Sequence, residues 1–109
     1  MELDKETNKQ IQDLQILEQS YQAMFMQKQS IQMELGETKT AIEEIDKSKD
    51  TIFRVIGQVM VKAEKDVLKK ELKEKKDFLE LRLKSIDKQE ADLRGDIERI
   101  RGEIVSKLQ

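Results

Sequence analysis

Through most of this chain apolar residues recur at alternating spacings of three and four, and the repeat stops at the segment TIFRVIGQVMVK, residues 51–62. The first run carries Leu14, Leu17, Tyr21, Met24, Ile31, Leu35, Ile42 and Ile45. The second carries Leu72, Leu79, Leu83, Ile86, Leu93, Ile97, Ile100 and Ile104. Such spacing marks a helix that buries one narrow stripe against another helix. Lys28 and Thr38 interrupt the first stripe, Lys76 and Glu90 the second, and polar residues at seam positions set register at some cost in stability. The pattern predicts helices at about 3–47 and about 66–108, each roughly 65 Å long at 1.5 Å per residue. Asp66 suits the N-cap or first turn of the second helix, where unpaired N–H groups collect.

Two helices of matched length on either side of a short link fold back as an antiparallel coiled coil. Equal rise along both makes facing residue numbers sum to about 114. Leu14 then lies near Ile100, Leu35 near Leu79, and Lys28 within about a turn of Glu90, where the two polar seam residues can pair with each other or, equally well, with a neighbouring chain of another kind.

The interrupting segment is β-branched, nearly uncharged and centred on Gly57. A glycine amid Ile, Val and Phe costs a helix about 1 kcal/mol by itself. A hairpin of about 51–63 is the better reading, with Gly57 and Gln58 at the centre of a two-residue type II′ turn, because Ile56 at positive φ is sterically poor. In that register Ile52, Arg54, Ile56, Val59, Val61 and Ala63 share one face; Phe53, Val55, Met60 and Lys62 share the other. A lone hairpin, apolar on both faces and with two open edges, is marginal in water. Association resolves this: hairpins from several chains pair edge to edge and close into a barrel. Ile52, Phe53, Val55, Ile56, Gly57, Val59, Met60 and Val61 are the expected oligomerisation residues.

Composition limits the alternatives. With 37% hydrophobic and 40% charged residues and no proline, the 109-residue chain suits long helices burying a thin seam, not a layered globule. The net charge of −2 gives no footprint for nucleic acid, and the lysines from Lys62 to Lys76 alternate with Glu64, Asp66, Glu71 and Glu74. No apolar run reaches the roughly 20 residues of a membrane span. The start MELDKETNKQ lacks the order of a signal peptide, so a cytoplasmic protein is expected. Without His or Cys there is no imidazole base, thiolate nucleophile or His/Cys metal site, and the four glycines form no phosphate-cradling loop. No enzyme activity, cofactor or metal is expected.

The layout of long helix, then TIFRVIGQVMVKAEKDVLKKEL, then EKKDFLELRLKSIDKQEADLR resembles prefoldin subunits of the beta class, the archaeal type in particular. The first helix, QIQDLQILEQSYQAMFMQKQSIQMELGETKTAIEEI, resembles the Gln-rich first helix of that family and its QKQ stretch. The resemblance covers essentially the whole chain, and its single hairpin matches the beta class, since alpha-class subunits carry two. It implies a hexamer of two alpha and four beta subunits, with a double β-barrel hub and six coiled-coil tentacles. It implies further an ATP-independent chaperone that holds non-native proteins and passes them to a group II chaperonin. The departure is a chain that stops at Gln109 without a long tail, which bears on chaperonin docking.

Holding a client requires apolar groups that the seam does not consume. Ile11, Ile16, Phe25, Met26 and Met33 lie off the first seam, and Phe78, Leu81, Val105 and Leu108 lie at or beyond the margin of the second. Met24, Phe25 and Met26 step about 100° each and cannot share one seam. Near the free ends the candidate client contacts are Leu3, Ile11, Leu14, Ile16, Leu17, Ile100, Ile104, Val105 and Leu108, since fraying of helix ends also exposes seam residues. The competing reading is a passive coiled-coil scaffold or tether, which needs the seam and the hairpin but no exposed apolar tip.

Overall fold

A computed structural model describes residues 4–109, so the candidate contact Leu3 lies outside the described residues. The elements run α1 (Lys5–Lys47), β1 (Ile52–Ile56), β2 (Val59–Ala63) and α2 (Lys65–Leu108): two long helices with one antiparallel hairpin between them. None of the helices is long and apolar enough to cross a membrane, among the described residues.

Each helix is bounded by identifiable chemistry. Asp4 caps α1: its carboxylate accepts the Thr7 backbone N–H at 2.6 Å, and its carbonyl accepts the Asn8 N–H at 3.0 Å. Hydrogen bonds from Thr7 hold the Asp4 carboxyl below the usual carboxylate range. At the other end of α1 the Ser48 N–H is shared between the carbonyls of Glu44 at 3.0 Å and Ile45 at 3.2 Å. The Lys65 ammonium donates to the carbonyls of Asp46 at 3.4 Å and Ser48 at 3.1 Å, so a cation meets the negative end of the helix. Helix α2 opens with Leu68 N–H bonding to the Glu64 carbonyl at 3.0 Å, which puts Asp66 in the first turn and not at the cap.

The hairpin pairs Ile52 with Ala63, Phe53 with Lys62, Arg54 with Val61, Val55 with Met60 and Ile56 with Val59. This is the register that follows from a two-residue Gly57–Gln58 turn. Gly57 has φ of 60°, and no other described residue has positive φ, so Gln58 does not. Positive φ at the first central residue alone identifies a type II′ turn.

The packed residues fall into two compact units. One comprises Ser30–Leu83 and contains the hairpin. Its seam buries Ile31, Leu35, Thr38, Ile45 and Leu79, and the Thr38 hydroxyl bonds back to the Glu34 carbonyl at 2.8 Å. Thr38 therefore occupies a seam position without leaving its hydroxyl unpaired.

The other unit comprises the residues up to Gln29 together with Lys84–Gln109. It buries Ile86, Ile97, Ile100 and Ile104, with Leu14, Leu17, Tyr21, Met24 and Leu93 half-buried beside them. Its seam begins at Thr7, which is buried, a heptad earlier than the first apolar seam residue. Lys28 and Glu90 meet in this seam at 3.5 Å, and Lys28 lies closer still, at 2.8 Å, to Asp87. Arg94 adds a contact to the same Glu90 oxygen at 3.2 Å and reaches the Tyr21 hydroxyl at 3.3 Å. The second Glu90 carboxylate oxygen is buried without a hydrogen-bond partner among the described residues. The Asp87 carboxylate, chiefly, raises the Lys28 pKa, so this contribution to stability is present below the ordinary lysine value and is lost as pH climbs through the raised one.

Gly36, Gly95 and Gly102 lie within the helices, and a Cβ built at any of them meets no heavy atom within 4 Å. Alanine replaces glycine in an open helical position with a gain of about 1 kcal/mol. Gly95→Ala and Gly102→Ala should each raise the thermal midpoint seen by circular dichroism. A lowered midpoint would mean that a neighbour occupies the space beside the helix.

Candidate assembly and client-binding surfaces

The hairpin is the most concentrated apolar surface of the Ser30–Leu83 unit. Phe53, Val55, Ile56, Val59, Met60 and Val61 are all exposed, while Ile52 and Ala63, at the end nearest the helices, are half-buried. β-strand alternation distributes these side chains over both faces, so neither face is fully covered by the described residues. Both strands also have a free edge, since the sheet has two strands only among the described residues. The hairpin nevertheless has a fixed seat. Arg54 reaches Glu71 of α2 at 2.8 Å, and Lys69 pairs with Asp46 at 2.5 Å, tying the start of α2 to the end of α1. The Lys69 ammonium is the main cause of a lowered Asp46 pKa, so this tie is intact above the ordinary carboxylate value and is lost as pH falls through the depressed one. These side-chain anchors were not identified from periodicity, because they sit off the seam. The signal available was an Arg on one hairpin face and acidic residues near each helix junction.

The candidate client contacts separate into three groups. Ile16, Val105 and Leu108 are exposed; Ile11, Leu14 and Leu17 are half-buried; Ile100 and Ile104 are buried in the seam of their unit, at 9% and 8% exposure. Helix α2 continues to Leu108, so the last seam residues have a full turn of helix beyond them. Off the seam, Phe25 and Met26 are exposed on α1 in the same unit, Met26 at 68%. In the hairpin-bearing unit Met33, Val67, Phe78 and Leu81 are exposed. Val67 was not singled out from its spacing, since a lone valine in the first turn of a helix carries no periodic signal.

Polar chemistry offers less. An open groove beside Tyr21 is lined by Gln15, Glu18, Gln22, Arg94 and Arg101, with Arg101 paired to Glu18 at 3.0 Å. Arg94 in the same lining reaches the Tyr21 hydroxyl at 3.3 Å. Among the described residues no cluster of three or more His, Cys, Asp or Glu side chains is placed to hold a metal ion.

This arrangement can be compared with known proteins. A family model described as prefoldin subunit matches residues 8–109. The prefoldin subunit beta of Methanothrix thermoacetophila is 35% identical over 109 residues, covering 98% of this chain and 91% of the relative. That of Thermococcus kodakarensis is 36% identical over 98 residues, covering 88% and 84%. The crystal structure of the prefoldin beta subunit from Thermococcus strain KS-1 superposes with a TM-score of 0.90 at 31% identity, over 99% of this chain and 96% of that one.

Proposed function

Since the chain belongs to the prefoldin subunit family, as a member of its beta class, we propose that it is the beta subunit of an ATP-independent holding chaperone. The family is one of chaperones, and its beta subunits assemble into prefoldin complexes. In the proposed assembly the hairpin residues Ile52, Phe53, Val55, Ile56, Gly57, Val59, Met60 and Val61 form part of a β-barrel hub, shared with an alpha-class subunit in a hexamer of two alpha and four beta chains. The free ends of the coiled coils bind non-native proteins, and the complex passes them to a group II chaperonin in the cytoplasm.

The observation that carries this reading is a hairpin with exposed apolar side chains on both faces and two free edges, held on the helices by Arg54 and Glu71. Such a surface is stable in water only when another chain covers it. Client binding is supported by the exposed Ile16, Phe25, Met26, Val105 and Leu108, which a tether has no use for. Methionine among them suits a surface that must fit many shapes.

The test is a light-scattering assay of an aggregating, chemically unfolded protein, with the chain alone and mixed with an alpha-class subunit, and with no chaperonin present. Suppression of aggregation should be the same with and without ATP, because the chain has no phosphate-binding loop. A requirement for ATP would refute the holding mechanism. Failure to suppress at any ratio, with assembly intact, would favour the scaffold reading.

A further inference from the structure

Val67, Phe78 and Leu81 are exposed on α2, at 57%, 61% and 68%. A step of 100° per residue puts them, with Glu71 and Glu74, within about 80° of one another around the helix. They form a single stripe on the hairpin-bearing unit, away from its buried seam. Nothing among the described residues covers this stripe. It begins four residues after β2 ends, and the Arg54–Glu71 ion pair joins it to one face of the hairpin.

The hairpin is too small to form an interface of standard size by itself. Such an interface uses about 20–30 residues a side, whereas the two strands provide five each, divided between two faces. Additional surface contiguous with the hairpin is needed, and the α2 stripe is contiguous. The opposite hairpin face carries Phe53, Val55 and Met60 with one cation, Lys62, and the stripe carries Val67, Phe78 and Leu81 with one unpaired anion, Glu74. Among the described residues neither Lys62 nor Glu74 forms an ion pair, and both are exposed. The dimensions also agree: five strand residues span about 17 Å, and Val67 to Leu81 spans about 21 Å along a helix.

We propose that the Val67–Phe78–Leu81 stripe of α2 is a second subunit interface, and that its occupant is the Phe53–Val55–Met60 hairpin face of another copy of this chain, with Lys62 of that copy set against Glu74. The contact uses different patches on the two copies, so it is heterologous, and it joins neighbouring beta chains of the proposed hexamer. It rests on the reading of the hairpin as the hub element, and enlarges that hub with the base of each arm.

Sedimentation of the full-length chain alone, across a dilution series, tests it. The double substitution Phe78→Ser with Leu81→Ser changes exposed side chains, so helix content should be kept, while self-association weakens by at least about tenfold. Lys62→Glu and Glu74→Lys should each weaken association, and the two together should recover most of the loss. Val61→Lys serves as the control for the hub. If Val61→Lys leaves assembly intact, the hub reading fails. If Val61→Lys disrupts it while the stripe variants associate as the parent does, the stripe proposal alone fails. A parent chain that stays monomeric by itself, or stripe variants that lose only alpha-subunit binding or only client holding, would overturn the second copy as the occupant.

Discussion

Replacing Val61 with Lys should convert the assembled protein into helical, low-mass chains. Val61 sits opposite Arg54 in the hairpin register, on the face shared by Ile52, Ile56 and Val59, and is exposed in the single chain. The substitution therefore disturbs nothing that the isolated subunit packs, and far-ultraviolet circular dichroism should be unchanged. In a closed barrel the same position is enclosed, and an unpaired ammonium there costs several kcal/mol. A loss of that size at every contact around a ring multiplies, because each subunit meets two neighbours. Sedimentation should show the high-mass form gone at concentrations where the parent is fully assembled. An unchanged oligomer would mean that this face points to solvent in the complex and that assembly uses the edges and the opposite face alone.

Much of the architecture was legible because it depends on local rules. The 3,4 repeat locates both helices without any knowledge of their partners, since only a helix returns residues at that spacing to one side. The turn was legible for a steric reason: of Ile56, Gly57 and Gln58, only glycine accepts positive φ without penalty, and Gly57 is the residue at φ of 60°. That one assignment then fixes the cross-strand register and both hairpin faces. The Lys28–Glu90 encounter followed from equal helical rise, but rise does not resolve a single turn, and Asp87, one turn before Glu90, is the closer partner of Lys28.

Residues at the ends of the seam and beside it were harder to place. Thr7 extends the seam though it is polar, because Asp4 caps the helix and holds the Thr7 backbone in the first turn. A hydrophobicity pattern has no weight for such a residue. The distinction between Ile104 and Val105 was also hidden in the list of apolar residues near the ends. Ile104 continues the seam and is buried; Val105 is the next residue, about 100° around the helix, and is exposed. Proximity to a free end suggested both as client contacts, and only packing separates them.

That separation decides how client binding is to be tested. Ile16, Val105 and Leu108 are exposed in a compact unit that does not contain the hairpin, so replacing all three with Ser should leave both assembly and the seam intact. Each is already partly solvated and gives a client about half of the 1.5–3 kcal/mol of full burial, or about 1 kcal/mol. A client touching all three then loses affinity on the order of a hundredfold. The buried Ile100 and Ile104 contribute only where the helix ends open, which truncation tests separately. Removing residues 1–12 and 100–109 eliminates Leu3, Ile11, Ile100, Ile104, Val105 and Leu108, while the seam from Leu14 to Ile97 remains. Both proteins should assemble normally in sedimentation and hold much less unfolded client in light scattering. If the triple Ser variant loses as much as the truncation, the exposed residues account for holding and fraying contributes nothing. If the truncation loses much more, the seam isoleucines take part, because binding by burial sums over apolar area and does not depend on one contact. If both hold clients as the parent does, binding lies on the flank around Phe25 and Met26, and the tip assignment is wrong.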